Sequence, residues 1–227
     1  MYYTNKETFV LSADGCMDTE RGGLESILAG NDEGAKGCCF SVDMTADGIA
    51  VLSSDGYCVA NDGTRLSITD YSYAELHQAA PQLTPVSQAI ELARTCQGKI
   101  AITVHDQTML RQLRMTLRYA DCLDDTIIIG LGLVEAARVA SANPDLHIMG
   151  ELPNLPSEID ALVNAAQTTG LFGLRAEPKD LSERLVSACR QAGLFTMSRC
   201  TDDPNTLAEL IRKGVNFIET RRPDITA

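Results

Sequence analysis

One feature narrows the fold more than any other: an alternation. From about Ala80 onward, short runs rich in β-branched and apolar residues give way repeatedly to longer amphipathic stretches. That is the pattern of a parallel sheet wrapped by helices, because parallel strands need a crossover and the crossover helix covers the sheet. The expected strands are Ile100–Val104, Thr126–Leu131, Leu146–Glu151, Leu171–Ala176, Leu194–Ser198 and Phe217–Thr220. Between them, Val86, Ala89, Ile90 and Ala93 fall at i, i+3, i+4 and i+7, as do Ile159, Leu162, Val163 and Ala166. Each set makes one buried stripe that faces a sheet. Helix starts are expected at Thr84 ahead of Pro85, at Ser157, at Asp180 with Glu183 three residues on, and at Asp203 ahead of Pro204. Gly98, Gly170, Gly193 and Gly214 each follow a helical stretch and precede a strand, where a left-handed residue turns the chain back to the sheet.

The first part of the chain is less regular. Phe9–Ala13 reads as a strand, Leu24–Gly30 as a helix, and Gly37–Met44 and Ile49–Leu52 as strands. The link Thr45-Ala46-Asp47-Gly48 is too short for a parallel crossover, so these last two strands cannot be consecutive members of a βα series. The polar stretch Ser54–Tyr73 predicts a loop or small insertion before a short helix near Glu75. The expected fold class is therefore α/β: a (β/α)8 barrel of TIM type with an accessory strand and a small insertion near residues 54–80. An open doubly wound sheet is the alternative. With no internal repeat and no linker rich in Pro, Gly and Ser, residues 1–227 are expected to form one domain.

Charge and cysteine usage limit the partners. The formal charge of −12 repels phosphate backbones, so no nucleic-acid partner is expected. The N-terminal MYYTNKETFV lacks the basic and apolar regions of a secretory signal. Apolar stretches such as Thr126–Leu133 fall far short of the roughly 20 residues that span a bilayer. The expectation is a cytoplasmic protein. The 8 cysteines include no CxxC pair, which predicts reduced, mostly buried thiols. Cys38 and Cys39 are adjacent on a strand and point to opposite faces, so they read as packed thiols rather than a reactive pair.

A series of motifs then resembles the glycerophosphodiester phosphodiesterase family. Gly34-Ala35, Phe40-Ser41-Val42-Asp43, Thr45-Ala46-Asp47-Gly48 and Val51-Leu52-Ser53-Ser54 follow that family's G-A-D-x-I-E-x-D-V-x-x-T-x-D-G-x-x-V-x-x-H-D in order and spacing. The likeness continues through Asn61-Asp62-Gly63, Ala74-Glu75-Leu76 and Leu83-Thr84-Pro85. It closes with Gly214-Val215-Asn216-Phe217-Ile218-Glu219-Thr220 and Pro223, similar to G-V-D-G-I-x-T-D-x-P. The resemblance implies a (β/α) barrel in which a divalent cation and two histidines cleave a phosphodiester, usually releasing glycerol 3-phosphate. Carboxylates would hold the hard cation and imidazoles would shuttle protons.

At the positions that carry this chemistry the chain departs from the family. The first H-R-G falls on Ala13-Asp14-Gly15, and the metal-binding E-x-D falls on Cys39 and Ser41. The second catalytic His falls on Ser53, the later E-x-K on Thr103 and His105, and the W-T pair on Ser198-Arg199. The resemblance thus implies a scaffold whose catalytic and metal positions are substituted.

Other residues could contribute. Of His77, His105 and His147, only His105 follows a strand end, where barrel sites form. It is expected either to act there or to play a structural role. Asp43 and Glu151, with Asp14, are candidates to hold a cation; the alternative is that they are ordinary solvated or strand-end carboxylates. Arg175, Arg199, Arg221 and Arg222 stand at predicted strand ends, where guanidinium groups can bind phosphate without a metal. Alternatively they pair with Glu177, Asp202 or Glu219.

Three expectations follow. The first is a non-catalytic binding or regulatory protein for a small phosphate-containing ligand, with no cofactor. The second is an active phosphodiesterase with a site rebuilt from His105, Asp43, Glu151 and the arginines around a divalent cation. The third is an oligomerising scaffold; the oligomeric state itself is not legible.

Overall fold

The computed structural model describes residues 7–154 and 157–226. Its strands are β1 (Phe9–Ser12), β2 (Gly37–Met44), β3 (Ala50–Leu52), β4 (Tyr57–Val59), β5 (Arg65–Ser67), β6 (Lys99–Thr103), β7 (Thr126–Ile129), β8 (His147–Glu151), β9 (Gly173–Ala176), β10 (Phe195–Ser198) and β11 (Phe217–Thr220). The helices are α1 (Glu25–Asp32), α2 (Tyr73–Ala79), α3 (Val86–Thr95), α4 (Leu110–Tyr119), α5 (Leu133–Ala142), α6 (Ile159–Thr168), α7 (Glu183–Gln191) and α8 (Pro204–Lys213).

Eight parallel strands run in the order β1-β11-β10-β9-β8-β7-β6-β2, and β2 pairs back with β1 at Ser12 and Cys38. The sheet is therefore a closed barrel, which rules out the open doubly wound alternative. β3 pairs antiparallel with the end of β2, Val42 opposite Leu52, as the short connection between them requires. The predicted insertion holds more order than expected: β4 and β5 form a hairpin around Asn61-Asp62-Gly63, with Gly63 at φ 86°. Its strands of three residues are too short to show alternation in the sequence.

Two apolar layers hold the barrel. Inside, Leu11, Cys39, Ala101, Ile129, Met149, Met197 and Phe217 pack together. Outside, the predicted stripes Val86/Ala89/Ile90/Ala93 and Ile159/Val163/Ala166 pack onto outward-facing Cys38, Ile102, Ile148 and Leu174. Cys38 and Cys39 thus serve different layers, as the alternation predicts. The larger, outer layer is what the helical periodicity encodes.

The punctuation is partly as predicted. Asp203 caps α8 by accepting from the Thr206 N–H at 2.8 Å, and Gly170, Gly193 and Gly214 all have positive φ. Gly98 does not: Gln97 takes the left-handed conformation at φ 54°. Gly98 is small for another reason, since a Cβ there would lie 2.9 Å from the Cα of Gly37. Three predicted caps also move. Pro85 occupies the cap of α3, Glu158 that of α6 without a side-chain bond, and Ser182 rather than Asp180 caps α7 through the Leu185 N–H at 3.2 Å. The short helix expected near Glu75 is α2, and it carries the firmest box, Ser72 with Glu75, whose cap residue lies near the end of the stretch read as loop.

Candidate functional site

Barrel strands point their C-terminal ends at one rim, and alternation carries the inward face of each strand up to it. Two residues beyond the inward-facing Met149, Phe217 and Met197 stand Glu151, Glu219 and Arg199, and Arg175 occupies the same level on β9, with Glu151 as its register partner. Glu151 and Arg175 belong to a cavity of about 800 Å³ that also touches Gly130, Leu133, Val134 and Arg199.

These side chains are bonded to one another. Arg175 donates to Glu151 Oε1 at 2.8 Å and to Glu219 Oε2 at 2.5 Å. Arg199 donates to Glu151 Oε2 at 3.0 Å and to Glu177 Oε1 at 3.1 Å. Gly130, at φ 100°, offers its N–H to Glu151 Oε1 at 3.1 Å. The side chains of Glu151, Arg175 and Glu219 are 9%, 12% and 13% exposed, so the cluster is shielded, whereas Arg199 at 37% reaches solvent. Burial works against the charge on Arg175, but the Glu219 and Glu151 carboxylates outweigh it and raise its pKa. Two guanidinium groups face three carboxylates.

The remaining positions are scattered around this network. Ala13 is buried at the end of β1, and Asp14 accepts from the Gly22 N–H at 2.8 Å; burial raises its pKa. Cys39 lies in the interior below the network, its thiol pushed well above the ordinary range by burial first and by Glu219 second. Ser41 and Thr103 are register partners on β2 and β6, and Ser53 is buried and accepts from the Gly56 N–H at 3.1 Å. Asp43 is half-buried where β2 leaves β6 to pair with β3. His105 is exposed just after β6. Among the described residues, no hydrogen bond or ion pair ties Asp14, Asp43 or His105 to the Arg175 network. Arg221 pairs with Asp202 at 2.5 Å and Arg222 with Asp224 at 2.7 Å, separately from Arg175. Of the other histidines, His77 stacks on Tyr73 in α2 and His147 sits at the opposite end of the barrel against Phe172.

A hard divalent cation does not fit this donor set. The two inward carboxylates are already bridged by Arg175, and Cys39, Ser41 and Thr103 on β2 and β6 offer only a thiol and two hydroxyls. Among the described residues, no group of three or more His, Cys, Asp and Glu could hold a metal ion. What the arrangement offers a ligand is the partly exposed Arg199, a planar donor for an oxyanion. In the sequence Glu219 and Glu177 read only as counter-ions and Glu151 only as a candidate cation ligand. The signal that joins them is register, since Glu151 and Arg175 are neighbours at the ends of adjacent strands.

No family model matches the chain, and no curated protein matches it in sequence. Solved structures do match. A Silicibacter pomeroyi DSS-3 protein assigned as a glycerophosphoryl diester phosphodiesterase superposes with a TM-score of 0.81 at 16% identity, over 99% of this chain and 93% of its own. A glycerophosphodiester phosphodiesterase from Parabacteroides distasonis ATCC 8503 gives 0.76 at 20% identity, over 97% and 96%. An Oleispira antarctica phosphodiesterase, solved in complex with the product sn-glycerol-3-phosphate, gives 0.79 at 16%, over 96% and 94%. At these identities the likeness is one of architecture, and it agrees with the motif series read from the sequence. The chain has the fold of the glycerophosphodiester phosphodiesterase barrels.

Proposed function

We propose that this barrel is a non-catalytic binding or regulatory protein that takes a small phosphate-containing ligand at its mouth and does not hydrolyse diesters. The observation that carries the reading is the Arg175 bridge between Glu151 and Glu219. The guanidinium offsets part of the charge of the two inward carboxylates and occupies the space between them. It cannot lower the pKa of a bound water or take up a proton as imidazole does. The rebuilt-site alternative needs His105, Asp43 and Glu151 to converge on one cation. His105 is exposed on a loop, and Glu151 is engaged through both oxygens by guanidinium groups.

In this reading Arg199 is the ligand's main contact. It exchanges the exposed Glu177 for a phosphate oxygen while Arg175 stays locked beneath. The Oleispira antarctica relative holds sn-glycerol-3-phosphate, which makes that compound the natural probe. Calorimetric titration with sn-glycerol-3-phosphate is expected to give saturable binding that Arg199→Ala weakens roughly tenfold or more, the worth of a charge-assisted bond. Binding that is absent, or indifferent to Arg199→Ala, would refute the proposal.

A further inference from the structure

The helical outside of the barrel carries a second feature that the mouth does not explain. A groove of about 430 Å³ between α4 and α5 is lined by Arg111, Arg114 and Arg118 of α4 and by Arg138 of α5. The chain as a whole carries −12, yet α4 contains no Asp, Glu or Lys. The arginines fall at i, i+3 and i+7, beside the stripe Leu110, Leu113 and Leu117 that α4 buries.

The groove is short of counter-charge. One carboxylate, Asp145, serves both Arg114, at 2.7 Å, and Arg118, at 3.0 Å. Arg138 is held by a neutral group, the Gln107 Oε1 at 2.9 Å, and Arg111 has no partner among the described residues. Like charges three and four apart on a helix repel, so the row is a standing cost that an anionic partner would relieve. Met115, which also lines the groove, is 60% exposed, and Tyr119, one helical turn on and just beyond the groove's lining, is 97% exposed. Arg, Tyr and Met are the side chains enriched at the centres of protein interfaces, where Lys, Asp and Glu are depleted.

From this juxtaposition we infer that the α4–α5 groove docks a carboxylate-rich segment of another protein, with Arg111 and Arg138 as the ionic contacts and Met115 and Tyr119 as the apolar ones. A second copy joined symmetrically through α4 would set arginine row against arginine row, which disfavours self-pairing. Long polyanions such as nucleic acid would meet the acidic remainder of the surface, whereas a short acidic segment spans only α4, about 15 Å at 1.5 Å per residue.

The test uses the full chain and a fluorescently labelled deca-glutamate peptide, read by anisotropy at low and at physiological ionic strength. Saturable binding is expected that weakens with salt. It should fall roughly tenfold or more in Arg111→Ala/Arg138→Ala and severalfold in Tyr119→Ala. Arg212→Ala, on α8 and paired with Glu183, should leave it unchanged. The altered side chains of α4 and α5 are exposed, and far-UV circular dichroism of each variant is the check that it is folded. No saturable binding, or an equal loss in Arg212→Ala, overturns the inference. So does displacement of the peptide by inorganic triphosphate or oligouridylate at lower concentration than by unlabelled peptide. Because Arg199 lies outside this groove, failure here leaves the mouth reading intact, and the reverse.

Discussion

Arg175 on β9 donates to Glu219 on β11 at 2.5 Å, across the end of the intervening strand β10. With Glu151 at 2.8 Å on its other side, the guanidinium spans the barrel's mouth from within. Three charged groups in a shielded setting hold one another in place, because each has been removed from water and depends on the others for compensation. The mouth therefore contains its own cation, supplied by the chain.

Removing that cation should be costly. Arg175→Met strands Glu219 as a buried carboxylate and leaves Glu151 to Arg199 alone, and equilibrium denaturation should show a loss of about 3–5 kcal/mol. Replacing all three with apolar residues, Glu151→Leu/Arg175→Met/Glu219→Leu, should recover most of it, because no uncompensated charge remains. Equal loss in the single and triple variants would show that packing rather than charge holds the cluster.

The cysteines give a second check. Burial pushes Cys16 up to about 11, and Cys38 and Cys189 up to about 12, so these thiols stay protonated at neutral pH. Thiolate is the reactive and metal-binding form. Cys200 is likewise pushed up to about 11, so access rather than ionisation sets the order: titration of the native protein with a disulfide reagent should label Cys200, which is exposed, and Cys96, which is half-buried, well before the six buried thiols. Rapid labelling of Cys39 would contradict its placement beneath the Arg175 network.

Acid should act on the rim through Asp202. Burial raises its pKa, but the Arg221 N–H and guanidinium more than offset this and leave it below the ordinary carboxylate range. A carboxylate depressed in the folded state contributes stability above its unfolded pKa and loses it as pH falls through the folded one. Asp202→Asn should therefore cost about 1 kcal/mol at pH 7, and the gap to the parent should close on acidification below about pH 4. A gap that stays constant down to low pH would disprove the assignment.

Gly130 sets the geometry of the mouth from the backbone. At φ 100° it holds a conformation that side chains avoid, and a Cβ there would collide with the Val104 carbonyl. Gly130→Ala should cost roughly 2–3 kcal/mol in thermal or chemical unfolding. It should also weaken ligand binding at the mouth, since the Gly130 N–H orients Glu151. An unperturbed variant would mean the loop relaxes freely.

Much of the fold is legible in the sequence because burial writes it there directly. The stripes of α3 and α6 and the apolar runs of β6 to β11 are the two sides of one packed layer, and their periods follow from that. The β4–β5 hairpin is not legible, since strands of three residues carry too few positions for a period. Nor is the exchange of Gln97 for Gly98 as the left-handed residue, because either glycine property, conformational freedom or small size, suits that position. At the site, the departures expected at Ala13, Cys39, Ser41 and Ser53 rest on motif order alone. The charged network at the mouth is not legible, because Glu151, Arg175 and Glu219 are far apart in the chain and meet only through register and barrel closure. The pairing of Arg221 and Arg222 with Asp202 and Asp224 is nearer to legible, being local to the segment after β11 and its neighbour.

Binding without cleavage is decided by hydrolysis of glycerophosphocholine in the presence of Mg²⁺, Ca²⁺ or Mn²⁺. Release of glycerol 3-phosphate is expected to be no faster than in the protein-free control with each cation. Saturable turnover abolished by a chelator would contradict it.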